Sequence, residues 1–210
     1  MIKYFQYKTI PNTYLIDKID SFLDEDFPKG DTTTELTIIE NDFMTAEIKS
    51  SDNMIFSGQK IIPYCFGNKC NVKLNYIDGE EIFCDDVIGT IEGPSKIILQ
   101  RERVMLNLIQ RLCGISTIAY KYAKIALPFN IKILDTRKTT PGLRLFEKYA
   151  VAVGGAFNHR LNLSTGILIK DNHIISAGSI TNAISSIRKA KQTLPIEIEV
   201  DNLNQIKEAL

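Results

Sequence analysis

The sequence contains few of the residues that most often bind transition metals. Its 210 residues include only four cysteines and two histidines. The cysteines contain no CxxC pair, and His159 and His173 are distant from them in sequence. Because structural zinc sites use closely spaced Cys and His ligands, the pattern favours reduced, mostly buried thiols over a zinc site. The four cysteines are Cys65, Cys70, Cys84 and Cys113.

Long apolar runs are also missing. No stretch is apolar enough over enough residues to cross a bilayer. The first residues, Met1-Ile2-Lys3-Tyr4-Phe5, lack the apolar stretch and the small-residue cleavage site of a signal peptide. We therefore expect a cytoplasmic protein with no membrane partner and no nucleic-acid partner.

Neither sign of charge is in excess overall, because 25 Lys and Arg balance 25 Asp and Glu. The distribution is uneven, since residues 101–173 contain 12 Lys and Arg against 4 Asp and Glu and carry +8. The other residues include 13 basic and 21 acidic side chains and carry −8. A local excess of positive charge predicts a surface that attracts anions. Solvated helix faces are the alternative interpretation.

The first half of the sequence predicts a small α+β unit. Residues 10–24 have apolar side chains at helical spacing. A loop is expected from Gly30 to Thr34, and a short helix within residues 58–66. Three stretches have strand character and are separated by turn residues, which favours an antiparallel sheet. These stretches are residues 43–48, 72–76 and 87–91.

After Pro94 the hydrophobic period changes to that of a long helix. It is predicted over residues 97–112, interrupted at Gly114 and resumed over residues 116–126. Strands then alternate with helices, which predicts parallel β/α packing in an open sheet or a barrel. The predicted strands are residues 131–134, 167–170 and 196–200, and the predicted helices are residues 143–153, residues 179–191 and a helix starting at Leu203.

Charged residues follow each of the three predicted parallel strands. Arg137 and Lys138 come after the first strand, and Lys170 ends the second. Glu197 and Glu199 lie on one side of the third, because side chains alternate along a strand. Each residue taken alone could be ordinary solvated polarity. Together with His159 and Arg160, which lie between the first two strands, they predict a site for a multiply charged phosphate substrate and a divalent metal.

Six segments of the sequence match, in order and spacing, the signature of one enzyme family. The chain resembles quinolinate phosphoribosyltransferase, also called nicotinate-nucleotide pyrophosphorylase (carboxylating), over essentially its whole length. The N-terminal half is similar too, with an acidic loop at residues 25–33 and Gly58 after a short strand. The matching segments are Glu102-Arg103 with Leu106-Asn107, and residues 112–117, 135–144, 147–151, 158–160 and 168–174.

The resemblance implies an α/β fold, with an N-terminal α+β open sandwich followed by an incomplete α/β barrel. On this basis residues 1–112 form the sandwich domain with a long linking helix, and residues 113–210 form the first part of the barrel domain. The implied reaction joins quinolinate to phosphoribosyl pyrophosphate (PRPP) with Mg²⁺ as cofactor. It gives nicotinate mononucleotide for NAD synthesis and releases pyrophosphate and CO₂.

The resemblance also implies roles for seven residues of this sequence. Four cations are expected to receive the two carboxylates of quinolinate, and they are Arg137, His159, Arg160 and Lys170. Lys138 is implied as a catalytic ligand of quinolinate or of PRPP phosphate. Glu199 is implied as a catalytic carboxylate on the side of the PRPP ribose and the metal. Arg103 resembles an arginine that reaches into the neighbouring subunit's site, which implies a homodimer.

The end of the sequence gives a further expectation. The last predicted helix runs to Leu210 without a glycine cap, and three parallel strands cannot close a barrel of about eight. We therefore expect the C-terminal strands to be missing and the 210 residues alone to bind PRPP poorly. Two alternatives are a molybdenum-transport-associated relative of the same fold and an inactive fragment that only dimerises. The intact Asn158-His159-Arg160 motif favours quinolinate over the molybdenum-associated relative.

Overall fold

The structure is a computed structural model that describes residues 3–191 and 193–210. The chain forms two compact units. One comprises Gln6–Asn158, and the other comprises His159–Leu210 together with the first residues of the chain.

The unit Gln6–Asn158 contains ten of the helices and strands described below. Its helices pack with a small antiparallel sheet in an α+β arrangement, as the sequence predicts for the first half of the chain. The helices are α1 (Asn12–Asp26), α2 (Thr32–Thr37), α3 (Ile61–Phe66), α4 (Ser95–Ala126) and α5 (Arg144–Val153). The strands are β1 (Phe43–Lys49), β2 (Met54–Ile55), β3 (Asn71–Leu74), β4 (Glu81–Ile82) and β5 (Val87–Pro94).

The predicted antiparallel sheet is confirmed. Its strand order is β1-β5-β3, with Phe43 opposite Pro94 and Asn71 opposite Glu92. A second antiparallel pair joins β2 to β4. Ile88 and Ile91 of β5 are buried in a core that also takes the apolar faces of α1, α3 and α4. This core is the main source of hydrophobic stabilisation in the unit.

The predicted interruption at Gly114 is wrong, because α4 is one unbroken helix of 32 residues. Buried residues continue at helical spacing across Gly114, from Leu112 to Ser116 and Ala119. The packing of this stripe outweighs the cost of about 1 kcal/mol that a glycine adds to a helix interior. The helix therefore also crosses the predicted domain boundary at residues 112–113.

Two further predictions in this unit need correction. The loop predicted at residues 30–34 contains the start of α2, which Asp31 caps by accepting hydrogen bonds from the backbone and hydroxyl of Thr34. The strand predicted at residues 131–134 is reduced to a single parallel bridge between Leu134 and Phe157. The side chains at residues 131, 132 and 134 are exposed. This stretch therefore buries too little apolar surface to be stabilised as a longer strand.

The unit containing His159–Leu210 carries two of the three predicted parallel strands. Strand β6 (Ile167–Ile169) pairs in parallel with β7 (Ile196–Ile198), with Ile167 opposite Ile196. Helices α7 (Ile180–Lys189) and α8 (Leu203–Ala209) follow the strands as predicted, and Ser179 and Asn202 cap them through side-chain oxygens. Sequence reasoning missed α6 (Asp171–Ala177), a short helix ended by Gly178 in the left-handed conformation.

None of the four cysteines is paired in a disulfide in the structure. Burial is less general than predicted. Cys65 and Cys113 are buried, Cys70 is half-buried and Cys84 is exposed.

Candidate functional site

In the unit Gln6–Asn158, the candidate residues Arg137 and Lys138 follow the bridge at Leu134. The backbone there pairs with Phe157, which donates to the Ile133 carbonyl at 2.8 Å and accepts from the Asp135 N–H at 2.9 Å. Lys138 is exposed, and its N–H donates to Thr136 Oγ1 at 3.0 Å. The Arg137 side chain is half-buried. Its Nε atom is buried and has no hydrogen-bond partner among the described residues, so the guanidinium retains an available donor.

The loop that carries these cations is tied to two helices. Arg144 Nε of α5 donates to Thr139 Oγ1 at 3.0 Å. Arg111 of α4 donates to Thr140 Oγ1 at 2.6 Å and forms an ion pair with the mostly buried Glu147 carboxylate at 2.5 Å. Glu147 also accepts from the Thr140 N–H at 3.3 Å. The loop therefore has fixed anchors on both helices.

In the other unit, His159 and Arg160 are both engaged. His159 Nε2 lies 2.6 Å from Glu197 Oε2, and the Tyr4 ring lies against the imidazole with centroids 4.7 Å apart. Arg160 is buried, and its Nη1 donates to the Gly166 carbonyl at 2.9 Å. Its Nε atom is buried without a hydrogen-bond partner in the part of the chain that the structure describes. An arginine with an unused buried donor is suited to a bidentate contact with a carboxylate.

The ends of the paired parallel strands bring together Lys170 and Glu199. Lys170 Nζ lies 3.2 Å from Glu199 Oε2, and both side chains are about half exposed. The Glu199 N–H donates to the Ile169 carbonyl at 2.9 Å, which continues the β6–β7 pairing to the polar edge. The Lys170 N–H donates to His173 Nδ1 at 2.9 Å, which fixes the start of α6. The carboxyl ends of parallel strands are where ligands bind in α/β folds.

Sequence reasoning missed three residues that organise the candidate site from inside the unit Gln6–Asn158. Lys148 and Asp135 form a buried ion pair, and Asn158 donates to Asp135. One sequence signal could have identified Lys148. It lies on the buried face of the apolar-rich helix α5, where an unpaired lysine would be costly.

Arg103 lies on α4 in the unit Gln6–Asn158, and its side chain is exposed. A cavity of about 500 Å³ in the same unit is lined by residues including Asn107, Arg111 and Thr140, but by none of the predicted site residues. Among residues 3–191 and 193–210, no group of three or more His, Cys, Asp or Glu side chains is arranged to hold a metal ion.

Comparison with known proteins bears on both halves of the chain. Residues 31–113 match a family model described as "Quinolinate phosphoribosyl transferase, N-terminal domain". Residues 115–210 match the corresponding model for the C-terminal domain. None of the helices in the described residues has the length and apolar character needed to span a membrane.

Among curated proteins, the chain is similar to a probable nicotinate-nucleotide pyrophosphorylase (carboxylating) of Bacillus subtilis. The two are 41% identical over 196 residues, which cover 91% of this chain and 68% of the relative. The nicotinate-nucleotide pyrophosphorylase (carboxylating) of Mycobacterium leprae is 36% identical over 196 residues, covering 90% of this chain and 69% of the relative. The chain thus spans about two thirds of the length of these relatives.

A solved structure supports the predicted fold class. The nicotinate-nucleotide pyrophosphorylase of Francisella tularensis matches with a TM-score of 0.92 at 35% identity, over 99% of this chain and 74% of that one. The α/β architecture predicted from the sequence is confirmed by this agreement.

Proposed function

Because this chain belongs to the quinolinate phosphoribosyltransferase family, we propose that it transfers a phosphoribosyl group from PRPP to quinolinate with decarboxylation, giving nicotinate mononucleotide for NAD synthesis. The observation that carries the proposal is the 41% identity to the Bacillus subtilis relative, which extends over 91% of the chain. The names of the relatives support quinolinate as the acceptor over the molybdenum-associated alternative.

Quinolinate is a dianion, so its site needs positive groups in a partly desolvated setting. We assign this role to Arg137, His159, Arg160 and Lys170. Arg137 and Arg160 support the assignment because each has a buried Nε atom without a hydrogen-bond partner among the described residues. A carboxylate that accepts from these donors would remove the cost of leaving them unsatisfied. Two such contacts would also fix the orientation of the pyridine ring.

Lys138 and Glu199 are proposed to act on the PRPP side. Lys138 is exposed and flexible, which suits a point charge that follows a phosphate group. Mg²⁺ is usually bound through one or two carboxylates plus substrate phosphates, and an exposed Glu199 fits that mode. When bound, Mg²⁺ would neutralise charge on the departing pyrophosphate. Lys170, at 3.2 Å from Glu199, would help to orient that carboxylate.

The chemistry requires positioning and charge stabilisation more than covalent catalysis. The pyridine nitrogen forms a bond to the anomeric carbon of ribose while the bond from that carbon to pyrophosphate breaks. The ring nitrogen is then positive. Loss of CO₂ from the adjacent carbon leaves an electron pair that this charge stabilises until a proton is taken up. The protein's contribution is to align the two substrates and to surround their negative charges with cations.

Arg103 is proposed to act across a homodimer in the cytoplasm. Its side chain is exposed on α4 and makes no hydrogen bond or ion pair with the described residues, which suits a residue that reaches a neighbouring chain. An exposed arginine can form bidentate contacts with a carboxylate of the partner's ligand.

Calorimetric titration tests the quinolinate site directly. Quinolinate is titrated into the unmodified chain and into Arg137→Ala and Lys170→Ala, with Arg188→Ala as a control. Arg188 is an exposed cation in the last turn of α7 that has no proposed role. We expect saturable binding that weakens by about tenfold or more in each site variant, since one charged hydrogen bond contributes about 1.5–3 kcal/mol. Equal affinity in all four proteins would contradict the assignment.

Turnover is tested with PRPP, quinolinate and Mg²⁺ by measuring nicotinate mononucleotide. Removal of Mg²⁺ with a chelator is expected to abolish product formation while leaving quinolinate binding intact, because only the PRPP side is proposed to use the metal. Product formation that persists at the same rate after chelation would contradict the proposed role of Mg²⁺.

A further inference from the structure

Lys148 and Asp135 form an almost completely buried ion pair in the unit Gln6–Asn158. Lys148 Nζ lies 2.5 Å from Asp135 Oδ1, and the two side chains are only 1% and 6% exposed. Burial lowers the pKa of Lys148, while the hydrogen bond to Asp135 acts in the opposite direction. Lys148 is too buried to contact a substrate, so any role in the reaction has to act through other residues.

Asn158 joins this pair to the surrounding backbone. Its Nδ2 donates to Asp135 Oδ2 at 2.8 Å and to the Lys148 carbonyl at 2.7 Å. Its Oδ1 accepts from the Tyr7 N–H at 2.7 Å, and its own N–H donates to Gln6 Oε1 at 2.8 Å. Both donors of the amide and its acceptor are therefore used. We name Lys148, Asp135 and Asn158 the buried polar network.

Stability alone is a weak explanation for the buried polar network. Replacing a buried ion pair with apolar residues of similar size is often neutral or stabilising. What such a pair provides is a fixed geometry, because each partner has to lie where the other neutralises it. A charged pair at this position therefore suggests that the location of the attached backbone matters.

The attached backbone carries two of the proposed substrate cations. Asp135 lies two residues before Arg137, and Asn158 immediately precedes His159. The two backbone segments are also paired, since the Asp135 N–H donates to the Phe157 carbonyl at 2.9 Å. Lys148 lies in the middle of α5 and contacts both segments. Its side chain pairs with Asp135, and its carbonyl accepts from the Asn158 side chain. A displacement of about 1 Å at this point would move Arg137 out of register with a bound dianion.

We infer that the buried polar network is a positioning device, in which Lys148, Asp135 and Asn158 set the place of Arg137 for quinolinate. The inference rests on the proposed function, because it concerns the same site. It assigns positioning roles to residues that do not themselves contact the substrate.

The test removes the charges without leaving one of them buried alone. The double variant Lys148→Met/Asp135→Asn replaces the pair by neutral side chains of similar size, with an amide oxygen at position 135 that still accepts from Asn158. A second variant, Asn158→Ala, removes the amide links and leaves the ion pair. Phe146→Leu is the matched control, because Phe146 is fully buried on the same helix and packs on Tyr14 and Phe22 outside the network.

Two measurements are made on each folded protein. The first is the Kd for quinolinate by calorimetry, and the second is amide hydrogen exchange of the ligand-free protein by mass spectrometry. We expect both network variants to raise the Kd by about tenfold to a hundredfold. Exchange should become faster in residues 134–142 and 157–160. The control should lose stability and keep the Kd and the exchange of these segments.

The outcomes separate the inference from the proposed function. If the unmodified chain and both network variants bind quinolinate equally well, the network does not position the site and the inference is wrong. If the control weakens binding as much as the network variants do, the effect is general destabilisation and the inference is again wrong. If the unmodified chain itself binds no quinolinate, the proposed function of this chain fails, and the positioning role falls with it. Should the double variant not fold, Asn158→Ala decides alone.

Discussion

Gly114, within helix α4, and Gly154, which packs against α4, should change the stability of the protein in opposite directions when each is replaced by alanine. Gly154 ends α5 against α4, and a Cβ atom added there would lie 2.3 Å from the Ser116 carbonyl oxygen and 2.8 Å from Ala119 Cβ. Gly114 lies within α4, and a Cβ atom added there would meet nothing within 4 Å. We predict that Gly154→Ala destabilises the protein and that Gly114→Ala stabilises it.

The magnitudes follow from these contacts. Non-bonded carbon atoms attract best at about 3.5–4.0 Å, so α5 would have to move away from α4 by about 1 Å to admit the methyl group. The obstacle at Gly154 is helix backbone, which cannot turn aside as a flexible side chain would. Overpacking of this kind costs about 1–3 kcal/mol. At Gly114 the backbone is helical and space is open, so alanine should contribute about 0.5–1 kcal/mol of stability.

Thermal unfolding followed by circular dichroism measures both effects. A change of 1 kcal/mol shifts the Tm by about 2–4 °C in a protein of this size. The Tm should therefore fall by about 2–12 °C for Gly154→Ala and rise by about 1–4 °C for Gly114→Ala. Gly154 has a φ of −72°, so backbone strain does not enter, and only the close approach of the helices is tested. An unchanged or higher Tm for Gly154→Ala would refute the reasoning.

Three other predictions concern the same unit. Phe146→Ala should lower the free energy of unfolding by about 3–5 kcal/mol in urea titrations, because Phe146 is fully buried; a loss below about 1 kcal/mol would contradict this. At pH 8, iodoacetamide should label the exposed Cys84 first, since burial raises the pKa of Cys65 to about 12 and of Cys113 to about 11. Labelling of Cys65 before Cys84 would contradict it. Burial and Asp78 raise the pKa of Tyr149 in the folded protein. The stability that this shift contributes is complete below the unfolded-state pKa of about 10, and it is lost as the pH rises above that value. Tyr149→Phe should therefore lose less stability between pH 9 and 11 than the unmodified chain, and equal losses would argue against the shift.

Sequence reasoning correctly predicted the elements in which the local pattern of apolar and polar residues determines which side chains are buried. Strand β1 alternates exposed and mostly partly buried side chains, β6 is a short apolar run, and β7 has Glu197 between two isoleucines. Both β6 and β7 were assigned within two residues. Helix α5 has charged residues on its buried face and was still predicted correctly from its apolar spacing.

The errors arose where distant residues decide the local structure. Gly114 suggested a break, but continuous packing along α4 keeps the helix intact. Residues 131–134 were predicted to form a strand because three of the four are apolar, yet only one bridge forms, at Leu134. The candidate cations were identifiable from their motifs. The partner of Lys148 was not, because Asp135 is thirteen residues away and no local pattern joins them.

The structure shows which charged residues of the positive stretch lie in solvent and which are held in ion pairs. Part of the +8 carried by residues 101–173 is solvated helix surface, since Lys121 and Lys124 are exposed on α4. Two of the four acids in that stretch, Asp135 and Glu147, are held in ion pairs inside the unit Gln6–Asn158.

Such pairs contribute geometry but no attraction for a substrate, because their charges already cancel at short range. Under the proposed function, part of the attraction for a dianion comes from arginine donors that no described protein group uses. Arg137 and Arg160 each retain a buried Nε without a hydrogen-bond partner among the described residues. A donor of this kind is costly to bury unless something binds to it. Arg101 Nε is buried in the same way without a proposed substrate role, so this feature agrees with the proposed carboxylate contacts but does not by itself mark a substrate residue.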